Sequence, residues 1–246
     1  TSSRRQRQMC IRDRYCMNHM VISPFGVEWF FWNILTLFFI LLLVFIPRNQ
    51  SEIFKSKFTK FFAFLMVFEY ILIQSYFVYE GIWTLEDSLP FHLCRLMLFN
   101  TTFLLLTRNQ IAFELLLFIG MVGGFHSLMT PELTHGANLF LLIDFFLVHG
   151  SLVAAPIYCI FVLGMRPRKN AWLKSFFYLQ IFVFIVAIID HLLGANYMYL
   201  AKKPIANNPF LIGDWPYYII GLELATLLHA FLVYIPFYLK KSFSLG

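Results

Sequence analysis

The sequence predicts an all-α fold: a polytopic membrane protein of seven transmembrane helices, N-terminus outside and C-terminus cytoplasmic. Three observations predict it. Of 246 residues, 60% are hydrophobic, 20% aromatic and 13% charged, with 31 Phe; a soluble domain averages about a quarter charged residues and has no interior large enough for this apolar share. Apolar runs recur at lengths that cross a hydrocarbon core of about 30 Å at about 1.5 Å per residue. Lys and Arg gather in alternate loops, the pattern that sets topology.

The runs follow in order at about 29–46, 58–79, 89–106, 110–129, 137–163, 172–194 and 215–238. Each is bounded by charge, Pro or Gly, as at Pro47-Arg48-Asn49, Glu80-Gly81, Thr107-Arg108-Asn109, Pro131-Glu132 and Arg166-Pro167-Arg168-Lys169. Gly120, Gly123 and Gly124 lower the helix propensity of the fourth run, but a backbone in lipid must satisfy its hydrogen bonds internally, which keeps it helical. The GxxxG spacing of Gly120 and Gly124 reads as close helix packing.

Arg48, Lys55, Lys57, Lys60, Arg108, Arg166, Arg168, Lys169, Lys174, Lys240 and Lys241 fall at one set of ends, the expected cytoplasmic side. The opposite loops hold only Lys202 and Lys203. Residues 1–16 disagree with this topology, with Arg4, Arg5, Arg7, Arg12 and Arg14 against Asp13 supplying four of the net charge of +6. They resemble translated adapter sequence and are read as a non-native tail, with the natural start at Met17 or Met20; a polybasic, lipid-binding arm is the alternative. Residues 17–246 then form a single seven-helix domain. Cys10 and Cys16 lie in the tail, and Cys94 and Cys159 sit in separate runs, so the cysteines suggest no disulfide or zinc pattern.

Ionisable residues within spans are candidate functional groups. His92, Arg95, His126, Asp144, His149, Asp190, His191 and Glu223 all fall in the outer half, on five helices. The cytoplasmic half holds Glu114, expected to be solvated near a helix end. This layer predicts a polar cavity, with Glu69 either lining it or pairing with Arg95, and His229 bonding between helices. A His oriented by an acid is a general base, which nominates His92, Asp144, His149 and Asp190 as catalytic. Arg95, His126, His191, Lys202, Lys203 and Glu223 are the substrate-binding candidates, and Cys94 is a possible nucleophile beside Arg95. His126, His149 and His191 lack metal-ligand spacing, so no metal or other cofactor is expected. Walker, GxGxxG and GxSxG signatures are absent. The loop 196–218 is aromatic and Pro-rich, and reads equally as a lid or as an interfacial aromatic belt.

LPFHLC at 89–94, LMTPEL at 128–133, His149-Gly150, NYMYLAKKP at 196–204 and GDWPYY at 213–218 together resemble the YwaF-type bacterial integral membrane proteins, from about Phe25 onward. More distantly the chain is similar to the eukaryotic transmembrane protein 164 family, described as lipid acyltransferases acting through a Cys and a His. The resemblance implies a multi-pass protein of a bacterial cell membrane whose partners are membrane lipids, not nucleic acid. In the eukaryotic proteins the Cys directly precedes the His of the Pro-containing motif. Phe91 stands there, so His92 matches and Cys94 is displaced by three residues. The leading expectation is lipid acyl transfer or hydrolysis with His92 as the main acid/base. The alternatives are a small-solute or ion transporter and a non-enzymatic membrane assembly protein.

Overall fold

The computed structural model describes residues 20–206 and 208–241, so the reading of residues 1–16 as a non-native tail lies outside the described residues. Seven helices follow in order: α1 (Val27–Arg48), α2 (Glu52–Tyr79), α3 (Leu93–Thr107), α4 (Gln110–Met129), α5 (Leu139–Phe161), α6 (Ala171–Leu193) and α7 (Tyr217–Leu239). Strands β1 (Met20–Val21) and β2 (Glu132–Leu133) pair antiparallel, Met20 opposite Leu133.

Six of the helices are long and apolar enough to cross a membrane; α3 is the exception at 15 residues, about 22 Å at 1.5 Å per residue. The apolar run 89–106 predicted a longer helix. Leu89 precedes Pro90, which disfavours helical backbone, and its N–H is held by the Tyr197 hydroxyl at 3.0 Å. The helix therefore begins after His92, whose backbone is extended. Polar caps start three of the other helices: Ser51 accepts from Phe54 N–H, Asn109 from Ile111 and Ala112, and Asn138 from Leu141.

Helices α4 and α5 are central, while α1, α6 and α7 turn wide apolar faces outward. The expected glycine contacts are present. A Cβ on Gly124 would lie 3.0 Å from the His149 carbonyl, and one on Gly120 3.2 Å from Met97 Cγ, so these positions let α5 and α3 close onto α4. A π-helical turn, Leu116–Gly120, interrupts α4 midway, a local widening that often accompanies functional sites.

The two ends of the bundle differ. At the Lys/Arg-rich end Glu114 is buried, where a solvated position was expected. Its carboxylate accepts from Arg168 Nη2 at 2.7 Å, Arg168 N–H at 2.7 Å and Gln110 Nε2 at 2.9 Å, so burial costs it no hydrogen bond. Tyr158 and Thr59 join α5 to α2 nearby through their hydroxyls at 2.6 Å. At the opposite end, Trp29 Nε1 and Asn33 Nδ2 donate to the Leu128 carbonyl at 3.0 and 3.2 Å, satisfying the terminus of α4. The segment between α6 and α7 folds over this second end, here called the lid end.

Candidate functional site

Below the lid lies a cavity of about 410 Å³, within the usual range for ligand pockets. Its polar wall is built from α3, α4 and α5 and includes His92, Cys94, Arg95, His126, Asp144 and His149. Arg95 is committed to two acids: Nη1 donates to Glu69 Oε1 at 2.6 Å and Nη2 to Asp144 Oδ2 at 2.9 Å. Their side chains keep only 8% and 12% of their surface exposed. One guanidinium thus ties α3 to α2 and α5, and Glu69 takes the pairing role of the two it had been offered. Glu69 Oε2 is buried without a hydrogen bond.

Neither catalytic histidine candidate is oriented by a carboxylate; backbone groups do it instead. His149 is buried in α5, and its Nδ1 lies 2.7 Å from the Phe145 carbonyl. A carbonyl only accepts, so Nδ1 carries the proton and Nε2 is left as the acceptor in the neutral ring. His92 is the opposite case. Its Nδ1 accepts the Met198 N–H at 3.4 Å, which leaves the proton on Nε2. Tyr197 and Tyr199 hold the His92 ring, with centroids 5.1 and 5.9 Å away. The cavity is therefore lined by one imidazole set to take a proton and one set to give a hydrogen bond, together with the Cys94 thiol.

The lid is fastened rather than merely aromatic. Tyr197 is fully buried, its hydroxyl donating to the Leu85 carbonyl at 2.7 Å while it accepts from Leu89. The Glu132 carboxylate accepts the N–H groups of Ala206 at 2.7 Å and Ile205 at 3.1 Å. Tyr218 donates to the Tyr199 carbonyl at 2.7 Å. Gly221 of α7 makes room for the lid backbone, since a Cβ there would sit 2.5 Å from the Phe210 carbonyl oxygen.

The remaining candidates divide. His126 lines the cavity and meets His229 edge-on at 4.6 Å, with Phe210 of the lid 5.5 Å away. Glu223 lines it from α7 and accepts from Gln180 at 2.7 Å. His229 donates to the Ala225 carbonyl within its own helix, not to a neighbouring helix as expected. Asp190 stands outside the lining, with Oδ1 accepting the Tyr197 N–H at 2.8 Å; it anchors the lid and orients no histidine. His191, next to it, consequently faces outward and is exposed. Lys202 and Lys203 are exposed as well, Lys203 reaching Asp214 at 3.3 Å, because lysine ammonium groups at a lid surface stay in water. The structure does not bring His126, His149 and His191 together, and the described residues include no cluster of three or more metal-ligating side chains.

The sequence matches the family profile described as TMEM164 over residues 21–235. The chain belongs to the TMEM164 family. It is a multi-pass membrane protein on that match and on its apolar helices. No curated protein and no solved structure gives a significant match.

For this TMEM164 family chain, sequence reasoning passed over three site residues. His135 lines the cavity and packs on Phe77 with centroids 4.5 Å apart, Glu132 clamps the lid, and Gly221 seats it. His135 and Glu132 lie in a loop predicted only as a connection, and Gly221 had no pattern to separate it from any other helix glycine. The acid at Glu132, in a loop without basic residues, was the one available signal.

Proposed function

We propose that this TMEM164 family protein transfers or hydrolyses lipid acyl groups in the lidded cavity, with Cys94 as nucleophile and His149 as general base. The carrying observation is the complementary state of the two imidazoles, fixed by the Phe145 carbonyl and the Met198 N–H, in one cavity with a thiol. His149 Nε2 takes the Sγ proton; the thiolate adds to the ester carbonyl carbon, and His92 Nε2–H stabilises the developing oxyanion. The carbonyl–oxygen bond then breaks, the leaving alcohol takes the proton back from His149, and a thioester remains. An acceptor hydroxyl or water, deprotonated by the same nitrogen, releases the acyl group and restores the thiol. Arg95, already neutralised by Glu69 and Asp144, holds the wall in place rather than binding substrate.

The lid end faces the outside in this reading, with seven spans, the N-terminus outside and the C-terminus in the cytoplasm. The distribution of Lys and Arg supports that orientation, and a tag at Met20 accessible only from the cytoplasm would overturn it.

Lipid profiles of cells carrying the native chain, Cys94→Ala, His149→Ala and His92→Ala test the activity. The expected result is a change in phospholipid acyl composition that Cys94→Ala and His149→Ala abolish and His92→Ala weakens. An unchanged profile, with solute uptake dependent on the protein, would favour transport instead.

A further inference from the structure

The cavity changes character away from Arg95. Beyond the polar wall it continues between α4, α6 and α7 as an apolar arm lined by Leu93, Ile119, Leu179, Val183 and Leu222. Ile119 and Leu179 are 1% and 4% exposed and pack with Leu93 and Val183 around the π turn of α4. The walls on two sides are thus the inner faces of α6 and α7. The outer faces of those helices are apolar and exposed, through Ile181, Phe184, Ile185 and Ile188 on α6 and Ile220, Leu224 and Leu228 on α7.

The seam between α6 and α7 is not uniform. Toward the Lys/Arg-rich end it is closed by aromatic packing of Trp172 on Phe231 and Tyr234, at 5.2 and 6.2 Å. Nearer the lid, beside the apolar arm, the helices are joined by the 2.7 Å hydrogen bond from Gln180 Nε2 to Glu223 Oε2. A polar bridge between half-buried side chains is replaceable by rotation of either one, whereas interlocked aromatic rings are not.

We infer that this arm is the acyl-chain subsite of the lipid substrate, and that the chain enters sideways from the bilayer through the α6–α7 seam that Gln180 and Glu223 close. The occupant is an alkyl chain because the arm is apolar, continuous with the polar wall, and separated from hydrocarbon by one pair of helices. The proposal rests on the acyl-transfer reading for its chemistry but is tested without it.

The full chain, with Cys10, Cys16, Cys94 and Cys159 replaced by Ala, is reconstituted in nanodiscs with a phosphatidylcholine carrying a diazirine near the end of one acyl chain. Photolysis is expected to label the inner positions Leu179, Val183 and Leu222 as well as the outer Phe184 and Leu224. Leu222→Trp, and separately the milder Leu222→Phe, should reduce inner labelling and leave outer labelling unchanged. Joining Gln180→Cys to Glu223→Cys with a short reducible bis-thiosulfonate linker should block inner labelling until a reductant is added. Labelling confined to outer positions, or inner labelling indifferent to both the bulky variants and the linker, overturns the proposal. Because Cys94 is absent, inner labelling in a protein whose native form shows no acyl transfer would retain the chain subsite and discard the catalytic reading.

Discussion

Both ends of the bundle bury a carboxylate against an arginine, yet the two arrangements are opposites. Glu114 has one guanidinium, one backbone N–H and one amide directed at its two oxygens, and it closes the loop 162–170 onto α4. Glu69 shares Arg95 with Asp144 and keeps Oε2 without a partner. The first is a balanced ion pair that fixes structure. The second sets two carboxyl groups against one guanidinium beside a cavity and leaves one buried oxygen without a hydrogen bond, a cost that packing alone does not offset. A buried ion pair whose hydrogen bonds are incomplete marks a functional site more readily than one whose oxygens are all satisfied.

Breaking the lid-end cluster should have the largest effect. Arg95→Ala strands two buried acids, and losing one partner of a buried ion pair costs about 3–5 kcal/mol, so unfolding in detergent should begin at clearly lower temperature or denaturant. Arg95→Met combined with Glu69→Gln and Asp144→Asn should recover much of that stability. At the other end, Glu114→Gln should cost about 1–3 kcal/mol by leaving Arg168 and its N–H short of an acceptor, with lipid acyl transfer retained. Glu69→Gln sharpens the contrast: it keeps an acceptor for Arg95 and relieves the crowding of two carboxyl groups on one guanidinium, so its denaturation midpoint should equal or exceed that of the native chain.

A smaller effect is expected at the lid. Gly221→Ala puts a methyl group where the Phe210 carbonyl lies, and alkylation of Cys94 by a small maleimide, followed at its peptide by mass spectrometry, should speed up. An unchanged rate would mean that the lid does not control access. Smallest of all, His191→Ala, Lys202→Ala and Lys203→Ala should shift stability by no more than about 0.5 kcal/mol and leave the lipid profile intact.

The seven helices were legible because each apolar run is long and ended by charge, Pro or Gly, and the structure places one helix on every run. The start of α3 was not, since the hydrogen bond from Leu89 to Tyr197 spans more than a hundred residues. Distance along a helix correctly grouped Arg95 with Glu69 as one possible pair, and it placed Asp190 and His191 at the level of the lid. It said nothing about facing, so it could not see that Asp190 turns to the Tyr197 backbone while its neighbour turns outward. It also sought carboxylate partners for the histidines, when Phe145 and Met198 orient them through main-chain groups that every residue possesses and no side-chain pattern reveals.

The most direct test of the central claim is mass spectrometry of the Cys94 peptide after brief incubation of the purified native chain with a phospholipid of defined acyl composition. The account predicts an added acyl mass that hydroxylamine removes, that accumulates less in His149→Ala, and that disappears in Cys94→Ala together with turnover. Acyl transfer that proceeds undiminished in Cys94→Ala would contradict it.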